Sequence, residues 1–95
     1  MAVKILIRRK VPESHAASLV KLLKDLRVAT TKQPGYISGE TFKRVDRPEE
    51  FLVISTWQSS DDWRRWVASD VRKEIQGRID MLLGFETTYE IWEYA

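Results

Sequence analysis

Apolar and polar positions alternate from Val3 to Arg9, with Val3, Ile5 and Ile7 on one face and Lys4, Leu6 and Arg8 on the other, which is the period of a β-strand. Val11-Pro-Glu-Ser breaks the alternation. From Ala16 the apolar residues Leu19, Val20, Leu23, Leu26 and Ala29 recur at helical spacing and predict an amphipathic helix reaching about Lys32. Gln33-Pro34-Gly35 ends it, because proline disfavours helical geometry in the residue before it and glycine permits a turn. A second strand is expected from Tyr36 to about Val45. The polar turn Asp46-Arg47-Pro48-Glu49 then closes a hairpin onto a third strand, Phe51 to Trp57, which is rich in β-branched and aromatic side chains.

That third strand runs directly into a helix that carries Trp63 and Trp66. Ser59 is placed to cap this helix, and Asp61 and Asp62 put negative charge at the positive end of its dipole. Trp63 and Trp66 lie three apart and so share a face. A face of this kind serves either as a core anchor, its commoner use, or as the wall of a pocket for a flat organic molecule. Ser69 to Leu83 reads as helical with a break near Gly77, Gly84 as a stop, and Phe85 to Tyr94 as a last strand.

The order β-α-β-β-α-β predicts an α+β fold of the ferredoxin-like type, with a four-stranded antiparallel sheet and its helices on one side. Residues 1–95 read as one domain. The later strands carry apolar and aromatic residues on both faces, so the sheet face away from the helices needs a cover. A second copy of the sheet supplies one through a two-fold contact, and a homodimer is expected.

With 43% hydrophobic and 32% charged residues, the chain has the composition of an ordinary globular protein. Its apolar runs are too short to cross a membrane. No signal-like apolar stretch and no cysteine suggest export or disulfide stapling, so a cytoplasmic location is expected. A net charge of +2 with the signs interspersed does not imply nucleic acid. The RNA-binding motif used on strand three of this topology is missing, as is the Cys-x-x-Cys pair of metal chaperones. Phosphate loops, nucleophile elbows and zinc-binding histidine pairs are missing too. His15 is the only histidine and reads as an exposed side chain near the start of the first helix, which leaves no basis for a protein-only metal site.

Pro34-Gly-Tyr-Ile-Ser-Gly-Glu40, Phe51-Leu-Val-Ile-Ser-Thr-Trp57, Gln58-Ser59, Trp63-Arg-Arg-Trp66 and Ser69-Asp70-Val71 together resemble the antibiotic biosynthesis monooxygenase family, over nearly the whole chain. The resemblance implies a dimeric α/β barrel in which two ferredoxin-like sheets pack face to face. It also implies an activity within a range that includes cofactor-independent oxidation of aromatic polyketides, haem degradation, and turnover of quinols or quorum-signal molecules. Trp66 matches the tryptophan that lines the pocket in the aromatic-oxidising and haem-degrading branches. The asparagine and histidine of the haem-degrading branch fall on Ile7 and Gln76, so haem is disfavoured.

A cofactor-free oxygenase needs only a dry pocket that holds an electron-rich ring and stabilises its anion. Trp66 is then expected to stack on a small aromatic molecule, Arg72 or Arg8 to stabilise a phenolate, and Tyr36 or Gln76 to hydrogen-bond an oxygen. The rival expectations are a non-catalytic ligand-binding or stress-related homodimer and, third, a haem-binding protein.

Overall fold

The computed structural model describes residues 1–84 and 87–95. Four strands, β1 (Val3–Lys10), β2 (Tyr36–Lys43), β3 (Glu50–Trp57) and β4 (Thr88–Glu93), form one sheet in the order β2-β3-β1-β4. Every neighbouring pair is antiparallel. The helices are α1 (Ala16–Thr31), α2 (Ser60–Ala68) and α3 (Asp70–Leu83), with a short 3₁₀ turn at Glu13–His15 before α1. This is the expected ferredoxin-like α+β architecture, with α2 and α3 together as its second helical crossover.

The core lies between the sheet and the helices. Val3, Ile5 and Ile7 are buried there with Trp57 of β3, Leu19 and Leu26 of α1, Trp63 and Trp66 of α2, and Ile79 and Leu83 of α3. The alternation that buries the three aliphatic residues of β1 continues one step further and buries Arg9 on the same side. Leu6, which pairs with Ile54, and Phe42, which pairs with Leu52, lie on the sheet face away from the helices. Trp92, opposite Lys4, shares that face and is 55% exposed.

Three boundaries differ from the expectation. Strand β2 stops at Lys43 rather than Val45, because Arg44 turns its guanidinium back onto Asp46 (2.7 Å) and Glu50 (2.8 Å) and shapes the hairpin turn. Helix α3 continues through Gly77 without a break. A Cβ there would meet nothing within 4 Å, so the position is open and a single glycine inside a helix does not interrupt its hydrogen bonds. The actual break is at Ser69, whose extended backbone separates α2 from α3. The first residues of the expected last strand, Phe85 and Glu86, lie outside the described residues.

Candidate binding cavity

Two serine caps aim the aromatic and cationic groups. The Ser59 hydroxyl accepts from the Asp62 amide at 3.2 Å and starts α2 as expected. Ser69 accepts from the Arg72 amide at 3.3 Å while its own hydroxyl donates to the Trp66 carbonyl at 2.8 Å. One side chain therefore ties the last turn of α2 to the first turn of α3, and with it the relative placement of Trp66 and Arg72. Gly35, at φ +85°, makes the turn into β2, and its carbonyl accepts from Gln58 at 2.7 Å.

Between α1 and the strands β1, β3 and β2 lies a cavity of about 290 Å³. Trp63 and Trp66 close it from the α2 side, Tyr36 and Phe51 add aromatic surface, and Ile7 and Val53 form part of its floor. Tyr36 is set there by a bulge: the register of β2 against β3 shifts between Tyr36 and Ser38, which puts Tyr36 and Gly39 on the same side of the sheet. A Cβ on Gly39 would stand 2.7 Å from the Tyr36 hydroxyl oxygen, so the glycine makes room for the phenol. The Tyr36 ring meets Trp57 edge to face at 5.5 Å, Trp57 meets Trp63 at 5.6 Å, and Trp63 meets Tyr89 at 5.5 Å. This chain of rings holds Trp63 rigidly. Trp66 also faces the cavity and is 3% exposed. The tryptophan face is thus core anchor and cavity wall at once.

Arg9 and Arg72 supply the charge. Arg72 is 2% exposed, donates to the Tyr89 hydroxyl at 3.2 Å, and stacks its guanidinium on the Trp63 and Tyr89 rings at 5.2 and 4.9 Å from their centres. Arg9 is 4% exposed and donates to Gln76 Oε1 at 3.0 Å. The same oxygen accepts from Arg72 at 3.4 Å. Gln76 Nε2 in turn donates to Asp80 at 2.8 Å and to the Thr87 hydroxyl at 2.7 Å. Burial first, and the positive charge of Arg72 second, lower the Arg9 guanidinium to about 10. Its Nε, also buried, has no hydrogen-bond partner among the described residues.

Of the residues expected at the site, Trp66, Tyr36 and Arg72 come together around the cavity. Gln76 is buried behind it as the acceptor between the two guanidiniums, rather than exposed on a helix surface. Arg8 is not brought there. It occupies an even position of β1, on the sheet face away from the helices, and pairs with Glu90. The arginine that reaches the cavity is its neighbour Arg9, which the extended β1 alternation could have identified. His15 is half-buried in the 3₁₀ turn and does not line the cavity.

Among the described residues the cavity lining contains no histidine, cysteine or methionine, and both ends of the Gln76 amide are engaged by protein groups. Among the described residues no group of three or more histidine, cysteine, aspartate or glutamate side chains is placed to hold a metal ion.

A sequence profile described as antibiotic biosynthesis monooxygenase matches residues 2–78, and the chain belongs to that family. Among solved structures, a conserved protein from Methanosarcina mazei Go1 superposes with a TM-score of 0.91 at 22% identity, over 100% of this chain and 94% of the other. A point mutant of SnoaB, a cofactor-independent oxygenase from Streptomyces nogalater, superposes with a TM-score of 0.86 at 16% identity, over 98% of this chain and 92% of the other. Rv0793 from Mycobacterium tuberculosis gives a TM-score of 0.86 at 15% identity, over 100% and 96% of the two chains. No curated protein sequence matches the chain closely enough to count as a relative. No helix among the described residues is long and apolar enough to cross a membrane.

Proposed function

We propose that the protein is a cytoplasmic homodimer that binds a small aromatic, phenolic or quinonoid compound in this cavity and oxidises it with dioxygen, without a bound cofactor. The observation that carries the reading is the cavity itself: about 290 Å³, walled by two tryptophans, a tyrosine and a phenylalanine, with two buried guanidiniums in its lining. Family membership and the fold shared with a cofactor-independent oxygenase support it.

The chemistry asks little of the protein beyond this arrangement. An ionised phenol, quinol or anthrone is rich enough in electrons to pass one to dioxygen. The radical pair recombines to form a C–O bond, and the resulting hydroperoxide loses water, so that in an anthrone a CH₂ and O₂ become a carbonyl and H₂O. The apolar walls exclude water from the intermediates, and the guanidiniums favour anionic over neutral forms of the ring.

The dimer reading rests on Leu6, Ile54, Leu52, Phe42 and Trp92, which share the sheet face that carries no helix. That face also carries Lys4, Arg8 and Glu90, and a second copy laid on it through a two-fold contact would cover its apolar residues. Oxygen-electrode assays with anthrones and hydroquinones test the activity. Uptake above the uncatalysed rate is expected from the wild-type protein, and ligand binding with no uptake would mark a binding protein without turnover.

A further inference from the structure

Arg9 and Arg72 lie side by side in the cavity wall, and among the described residues neither has a carboxylate bonded to it. Their shared acceptor is the neutral oxygen of Gln76. Among the described residues, the acid in the network is the half-buried Asp80, one amide away through Gln76 Nε2. Among the described residues, two positive charges and one negative leave the cluster one charge in excess. Burying an unpaired charge is costly, and a fold that carries one gains from a ligand that neutralises it. The cavity lining as a whole points the same way. Exposed Lys24 and Arg27 stand on it beside Arg9 and Arg72, against a single acid among the described residues, Glu40.

We propose that Arg9 and Arg72 form a subsite for the carboxylate of an acidic ring compound, whose ring lies against Trp63 and Trp66. The proposal deepens the reading of the cavity as an aromatic-ligand site and rests on it. A carboxylate suits the site better than a phenolate for two reasons. It is already ionised at neutral pH, whereas a phenol with a pKa of about 10 must first lose its proton. It also presents two oxygens, which match the paired donors of a guanidinium, and both guanidiniums belong to the cavity lining.

The test is calorimetric titration of the wild-type protein with matched probes: naphthoate against naphthamide, benzoate against benzamide, naphthol, and cyclohexanecarboxylate. Each aromatic acid should bind at least about tenfold more tightly than its amide and than the phenol. Added salt should narrow the gap. Arg9→Met should remove the preference for the acid over its amide, and if that variant does not fold, the wild-type comparison alone decides. Equal affinity for acid and amide, or for acid and naphthol, would overturn the carboxylate subsite and leave the aromatic pocket standing. Cyclohexanecarboxylate binding as tightly as benzoate would overturn the aromatic reading and keep the anion site. Failure of every probe to bind would overturn both.

Discussion

Gln76 Oε1 accepts a hydrogen bond from Arg9 Nη2 at 3.0 Å, joining the end of the first strand to the middle of the last helix. Because the same oxygen also takes a bond from Arg72, one amide holds both buried cations of the cavity. Gln76→Leu removes that acceptor and leaves two desolvated guanidiniums without it. Leaving a buried charged donor unsatisfied should destabilise the protein by about 2 to 3 kcal/mol. Urea unfolding measures this, and Gln76→Leu should show a lower midpoint at an unchanged m-value.

Arg9 carries a pH signature. Its folded value, about 10, lies below the ordinary 12.5 because of burial and Arg72. Between those two values the unfolded chain holds the proton and the folded chain releases it, so this group's contribution to stability rises with pH across that window. Below about 10 the penalty of the buried charge is fully present, and a shift of this size corresponds to about 3 kcal/mol. Arg9→Met removes the penalty and loses one bond to Gln76. It should therefore stabilise the unliganded protein at neutral pH by about 1 to 3 kcal/mol, and the gain over wild type should shrink as the pH rises past about 10. A variant less stable than wild type at neutral pH would show that the charge is compensated within the fold.

Gly39 and Tyr36 should be coupled. In Gly39→Ala the new methyl would stand 2.7 Å from the Tyr36 hydroxyl oxygen, displacing the ring into the cavity. The cost should be about 1 to 3 kcal/mol, with weaker ligand binding. In a Tyr36→Phe background the hydroxyl is gone and the nearest remaining ring atom, Cζ, lies at 3.6 Å, an ordinary contact. The same alanine should then cost little, and a double-mutant cycle should report the difference as coupling.

Trp66 carries structural and binding roles that can be separated. Trp66→Ala empties a buried indole site and should cost roughly 3 to 5 kcal/mol. Trp66→Phe keeps much of the packing and should retain the fold while weakening aromatic ligands. Full affinity of Trp66→Phe for every aromatic probe would reduce the tryptophan to a core anchor.

The sheet face without helices gives a prediction about mass. Light scattering on the wild-type protein should give twice 11.2 kDa. Ile54→Glu, in the middle of that face opposite Leu6, buries a charge in the proposed interface and should yield monomers. A wild-type monomer at micromolar concentration would sink the dimer.

Local patterning made most of the fold legible. The alternation of Val3, Ile5 and Ile7, the helical spacing of Leu19 and Leu26, and the serine at position 59 each act over a few residues, and each lies where that local rule puts it. The aromatic face of Trp63 and Trp66 was legible for the same reason, since residues three apart on a helix share a side.

The charged part of the cavity was decided by tertiary contacts. Arg9 and Gln76 are 67 positions apart, and although the β1 alternation puts Arg9 on the helix side, nothing near Gln76 in sequence marks it as buried. Arginine and glutamine in a strand end and a helix are ordinarily solvated, so propensity points outward for both. Only the strand order, which sets β1 beside β4 and under α3, brings the two guanidiniums to one amide and removes water from them. The choice between Arg8 and Arg9 depended on a single residue of parity in β1, because adjacent side chains of a strand face opposite ways. The bulge at Tyr36 was hidden as well, since an extra residue in one strand has meaning only against the register of its partner. The sequence thus determined the elements and their apolar faces, while the packing of distant elements decided which polar side chains lie in the dry interior, where the fold must compensate their charge and a ligand can do so.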